Sequence, residues 1–262
     1  MEANIPFNSG AIRAGECISS GWDLIKDNYW LFLGIVLLGA VISGCIPCVS
    51  LFFIGPVAVG IYICMFTRMR GQPVEFGMMF KGFEKFVPAM VLGLIEALPG
   101  IVAQVVRLGV QFGDIGSRRG RGGYNFFAQS DMGPALAGGI LIIAIIVGIG
   151  FFLFAIAWQI TFKFALPILT ENSDMGIGDV IKLSARAGWS NIGGIIVLVI
   201  FQALVVLIGV LALCIGVLFV IPIIWASNAV AYRMVFPESP QGGVYHEPPR
   251  PDYYGGSFGQ GQ

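Results

Sequence analysis

Six runs of apolar residues, each of a length that crosses the hydrocarbon core of a bilayer, constrain this chain more than any other feature of its sequence. A helix needs about 20 such residues to span that core, where no water satisfies the backbone. The runs fall at residues 29–46, 49–66, 87–106, 136–158, 192–213 and 215–231. They predict an all-α integral membrane protein with about six transmembrane helices. Composition agrees, with 56% of residues hydrophobic and 11% charged; soluble domains carry about a quarter charged. The 15 basic and 15 acidic residues cancel, so net charge selects no specific nucleic acid as a partner. The expected partners are the lipid bilayer and, within it, other membrane proteins or a second copy of the chain.

Around the spans the chain divides into an N-terminal tail at 1–10, a polytopic membrane domain at 11–236 and a disordered cytoplasmic tail at 237–262. The last is rich in Pro, Gly, Tyr and Gln, a composition that cannot bury a core. Its Pro248-Pro249-Arg250-Pro251 fits either a polyproline ligand or a featureless tail. The first 28 residues carry Glu2, Arg13, Glu16, Asp23, Lys26 and Asp27. That is not the basic start and short apolar core of a cleaved signal, so the first span is expected to be retained.

Three polar stretches show helical periodicity. In 11–28, Ile18, Trp22, Ile25 and Tyr29 recur on one side, with Arg13, Glu16, Ser20, Asp23 and Asp27 on the other. Such a helix, leading into a span, is expected to rest in the headgroup region, with Trp22, Tyr29 and Trp30 as interfacial anchors. In 71–86 the repeating residues are Phe76, Phe80, Phe83 and Phe86, and in 177–191 the polar side carries Asp179, Lys182 and Arg186. Residues 113–133 interleave Gly116, Gly120, Gly122 and Gly123 with Arg118, Arg119 and Arg121, which reads as a flexible loop. A loop of this kind touches RNA or acidic lipid in some proteins and is merely solvated in most.

The ends of the chain resemble one another. Residues 16–28 align with 179–191 at constant offset, pairing Ile18 with Ile181, Gly21 with Ser184 and Asn28 with Asn191. Each stretch precedes two spans, the second carrying Pro56 or Pro222 and ending in Arg68-Met69 or Arg233-Met234. The expectation is two pseudo-repeated halves, each preceded by an amphipathic interfacial helix. Six spans put Arg13, Lys26, Arg68, Arg70, Lys81, Lys85, Lys163, Lys182, Arg186, Arg233 and Arg250 on one side, with Arg107, Arg118, Arg119 and Arg121 opposite. The positive-inside rule then places both termini in the cytoplasm, with the chain in the cell (inner) membrane.

Gly15-Glu16, Gly21-Trp22, Asn28, Gly55-Pro56, Gly60, Arg68, Arg70-Gly71, Phe80-Lys81-Gly82-Phe83 and Phe164-Ala165-Leu166-Pro167 carry a family likeness. Over roughly residues 10–236 the chain resembles a broad group of uncharacterised prokaryotic membrane proteins. That group is similar to the membrane domain of some glycerophosphodiester phosphodiesterases. The resemblance implies an architecture and leaves activity open. Residues 113–133 look like an insertion, the hydrolase domain has no counterpart, and the single histidine, His246, could not supply that enzyme's metal site.

Two local features bear chemistry. Cys45-Ile46-Pro47-Cys48 has the spacing of redox and metal sites. Its apolar neighbours favour small packing residues at a tight turn, with a disulfide possible in an oxidising compartment. Glu96 is the acid placed inside a span, where insertion costs about 2.5–3.5 kcal/mol and the group usually faces a partner or water. The competing reading puts it near water in an interfacial third helix. With no phosphate-cradling loop, hydrolytic triad or histidine cluster, neither an enzyme nor a bound cofactor is expected. The expected function is a scaffold or accessory subunit of a membrane complex; the alternative is a small permease or lipid-handling transporter with Glu96 in its path.

Overall fold

Among the described residues the apolar runs fold as helices. The computed structural model describes residues 5–44, 50–119, 134–172, 174–211 and 216–237. Within them lie α1 (Ala14–Ile25), α2 (Tyr29–Gly44), α3 (Ser50–Met69), α4 (Phe86–Arg119), α5 (Pro134–Phe162), α6 (Ala165–Glu171), α7 (Ile177–Ser190), α8 (Ile192–Leu211) and α9 (Gly216–Val235), with 3-10 turns at Lys26–Asn28 and Phe76–Lys85. No strand occurs among the described residues. Six helical stretches are long and apolar enough to cross a membrane.

α2/α3, α4/α5 and α8/α9 are consecutive pairs of long helices, and a short helical segment precedes each. None of these segments packs chiefly on the pair it leads into. α1 lies along α9, Phe76–Lys85 lies along α3, and α7 lies along α5. Each pair is thus gripped by the segment leading into another, and the grip of α1 on α9 joins the first described helix to the last.

A glycine marks each contact. A Cβ on Gly21 would stand 2.9 Å from the backbone nitrogen of Ser227. One on Gly82 would overlap the carbonyl oxygen of Pro56, and one on Gly188 the carbonyl oxygen of Ile160. Helix backbones this close need hydrogen in place of a side chain. An aromatic residue follows each glycine: Trp22, Phe83 and Trp189. Ser184, aligned with Gly21 in the sequence, has a different task at the same interface. Its hydroxyl donates to the Thr161 carbonyl at 2.7 Å and accepts from the Phe164 amide at 3.2 Å, closing the end of α5.

Three boundaries differ from the sequence expectation. The segment after α3 is a 3-10 helix, whose three-residue turn puts Phe80, Phe83 and Phe86 on one face. The Phe53 ring lies 5.9 Å from both Phe83 and Phe86. α4 continues through Arg119, so Gly113 to Arg119 are helical and not loop. Elongation adds one backbone hydrogen bond per residue, and glycine alone does not stop it. α6 had no counterpart in the hydropathy reading; its seven residues are too short to show a period.

The start of the chain is fastened down. The Asn8 amide donates to the Val235 carbonyl at 2.8 Å, and Phe7 packs on Phe236 at 6.0 Å. The buried Asn191, between α7 and α8, accepts from the Ala11 amide at 3.0 Å and donates to the Asn8 carbonyl at 3.1 Å. This is a buried amide with its hydrogen-bonding capacity used, as burial requires.

The three pairs do not meet equally. α3 packs on α4, and α9 packs on α2 and α3, whereas α5 and α8 share no substantial contact among the described residues. Ile146, Phe152, Ile200, Leu204, Ile208 and Leu211 on those two helices are exposed.

Candidate functional site

Polar groups gather at two places inside the helical bundle. The first centres on Glu96, half-buried in α4. Three residues on, Pro99 lacks the N–H that the Ile95 carbonyl would otherwise accept. The Trp158 indole of α5 supplies that donor at 2.9 Å, pinning α5 to α4 beside Glu96. Lys163, just past the end of α5, stands in electrostatic reach of Glu96, as does the buried Tyr62 of α3. Glu96 and Lys163 form neither a hydrogen bond nor an ion pair with any described residue.

The second place is the carboxylate of Glu171, at the end of α6. Its Oε1 accepts from Arg70 at 2.9 Å, and its Oε2 accepts from the Tyr232 hydroxyl at 3.0 Å and from Arg233 Nη1 at 3.0 Å. Arg233 Nη2 completes a bidentate pair with Oε1. The same guanidinium lies 4.7 Å from the centroid of the Phe66 ring. Ends of α3, α6 and α9 are thereby tied through one acid. Arg68 closes the neighbouring end of α1, with Nε donating to the Leu24 carbonyl at 3.2 Å and Nη2 to Asp27 at 2.9 Å. Between α1 and the ends of α3 and α9 lies an open cleft of about 490 Å³, lined by Ser20, Leu24, Met69, Val230, Arg233 and Pro237.

No known protein family, curated protein or solved structure matches this chain.

The residues singled out from sequence are distributed as follows. Cys45 and Cys48 lie outside the described residues, as do residues 120–133 and the tail beyond Pro237. Trp22 and Trp30 are on the outside, 44% and 75% exposed. Tyr29 is half-buried, and its hydroxyl donates to the Phe219 carbonyl at 2.5 Å, three residues before Pro222 in α9. The rings of Trp22, Tyr29, Trp30 and Phe219 run in contact at 5.7, 5.8 and 6.3 Å. Among the described residues no group of three or more His, Cys, Asp or Glu is placed to hold a metal.

Lys163, Tyr62 and Glu171 did not stand out in the sequence. Lys163 and Glu171 sit at ends of apolar runs, where charges are ordinary, and Tyr62 is an aromatic inside a span. Gln202 was also missed. It is buried in α8, and its amide donates to Ser227 and Asn228 of α9 at 2.8 Å each. A single amide in an apolar run was the available signal.

Proposed function

We propose that this chain is a multi-pass membrane protein with both termini cytoplasmic, acting as a non-enzymatic scaffold or accessory subunit of a membrane complex. The observation that carries the proposal is the unequal closure of the bundle. Two of its three seams are packed, while α5 and α8, which share no substantial contact among the described residues, each present a long exposed apolar face. Polar groups within the bundle are largely engaged with each other, as at Glu171 and Gln202, which suits a rigid body more than a moving one. Trp22 and Trp30 serve as headgroup-level anchors, and the three glycine-marked grips reflect a repeated unit of short helix plus hairpin. The resemblance read from the sequence to the membrane domain of some glycerophosphodiester phosphodiesterases implies an architecture and no activity.

Photo-crosslinking groups placed at Ile146 and Leu204 in native membranes test the scaffold reading. Defined protein adducts at both positions are the expected result; lipid adducts alone, with the protein purifying as a single species, would overturn it. A cysteine introduced at Ser239 tests orientation, because labelling by an impermeant reagent in intact cells would reverse the assigned sides.

A second reading, a small permease or lipid-handling transporter, is favoured by one observation. Glu96 of α4 has Lys163, just past α5, and Tyr62 of α3 within electrostatic reach, and charge inside membrane helices commonly lies on a solute or ion path.

A further inference from the structure

We propose that α1, with the residues leading into it, is a strap that swings away from α8 and α9 while α2 to α9 stay in place. The proposal goes beyond both readings above and stands on how the segment is fastened. Its hinge is the 3-10 turn at Lys26–Asn28, which interrupts an otherwise continuous helical run from Ala14 to Gly44. A short 3-10 stretch inside a helix often marks a hinge. Arg68 grips that end, through the Leu24 carbonyl at 3.2 Å and Asp27 at 2.9 Å. The latch lies at the other end. There the Asn8 amide donates to the Val235 carbonyl at 2.8 Å, and Asn191 holds Ala11 and Asn8 at 3.0 and 3.1 Å.

Between hinge and latch the strap is held by close packing. The buried residues of α1 are Ala14, Cys17, Gly21 and Ile25, three of them small. Gly21 lies on the backbone of Ser227, and the Cys17 thiol is 3.6 Å from the Met234 sulfur. Ile12 sits against Gly194 of α8, where an added Cβ would stand 2.6 Å from its own. On the outer face Arg13 pairs with Glu16 and Lys26 with Asp23, both within the same segment, so opening breaks neither pair. An amphipathic helix also has a second seat, apolar face down in the headgroup layer, which spares its inner face from water when it leaves α9. A segment with so few large buried side chains opens at a free energy well below that of global unfolding. Opening removes the wall of the cleft formed by Ser20 and Leu24 and uncovers Val230 and Arg233 opposite.

Two fully buried thiols report the motion in the unaltered full chain, Cys17 under the strap and Cys64 within α3. N-ethylmaleimide labelling in mild detergent, read site by site by mass spectrometry, gives a rate for each, and SDS-unfolded protein supplies the reference. The expected result is Cys17 labelling at least about tenfold faster than Cys64 relative to those references. Asn191→Ala, which releases the latch, should raise the Cys17 rate alone. Gly21→Leu, which sets a side chain against the Ser227 backbone, should give a folded protein with Cys17 labelled near its reference rate and Cys64 still protected. Equal relative rates in the unaltered chain, or acceleration of both thiols in step by Asn191→Ala, would overturn the strap, because α1 would then leave only on global unfolding. A Gly21→Leu chain that does not fold would overturn it as well. These rates do not depend on whether the protein is a scaffold or a permease, so neither reading stands or falls with the strap.

Discussion

The Trp158 indole donates to the carbonyl of Ile95 across the α4–α5 interface, at the carbonyl that Pro99 strips of its own helical donor. A proline in a helix interior normally leaves such a carbonyl to water or to a bend. Here a side chain about one turn from the end of α5 fills the gap, so the two residues act as one feature.

The Trp158→Phe variant should therefore lose about 1–3 kcal/mol, the cost of an unsatisfied carbonyl in an apolar setting. In a Pro99→Ala background, where residue 99 regains its N–H, the same change should cost less. Thermal unfolding of the four proteins in one detergent gives the coupling; equal losses in both backgrounds would refute the link.

Glu171→Gln should destabilise by about 2–3 kcal/mol, less than the ~3–5 kcal/mol for breaking a fully buried pair. The side chains of Glu171 and Arg233 are 17% and 15% exposed, so water recovers some of the loss. The Arg13–Glu16 and Lys26–Asp23 pairs at 2.7 Å lie on the exposed side of α1. Removing either should leave the unfolding midpoint essentially unchanged, because exposed pairs are screened by water and salt. Unfolding midpoints that failed to separate the two classes would show that Glu171 does not tie the helix ends.

Alanine at Gly82 or Gly188 should cost at least about 1–3 kcal/mol, since the new methyl meets a backbone carbonyl that cannot swing away. Gly15 is the control. Its Cβ would meet nothing within 4 Å, and alanine there should be neutral or stabilising by up to about 1 kcal/mol. Folded yield and unfolding midpoint of the three variants measure the ranking.

Arg68→Lys should loosen the junction of α1 and α2 despite keeping the charge. One guanidinium reaches both the Leu24 carbonyl and Asp27; a single ammonium does not reproduce that fork. Faster hydrogen exchange at residues 24–28, with the rest of the chain unchanged, is the expected signature. Uniform acceleration would instead indicate global destabilisation.

Much of the architecture was legible along the chain because transfer into hydrocarbon is additive over about 20 residues and needs no knowledge of neighbours. The runs that became α2, α3, α8 and α9 illustrate this, as does the polar helix that became α7. Their ends were less legible where nothing stops a helix, as between Gly113 and Arg119 in α4. The candidate site was half visible. Glu96 stood out as an acid in an apolar run, whereas Lys163 lies 67 positions away in sequence and is ordinary where it stands.

By itself the sequence determined that this chain is helical and that six stretches are apolar enough to span a membrane, because both follow from local composition and backbone chemistry. Only the tertiary structure decided what holds the helices to one another. Whether Gly21, Gly82 and Gly188 mark loose turns or backbone contacts depends on which helix approaches them. That Trp158 answers Pro99, or that Glu171 gathers Arg70, Tyr232 and Arg233, depends likewise on residues brought together from distant parts of the chain. Hydrogen bonds and close packing act over a few ångströms of space, and separation along the chain carries no record of that distance.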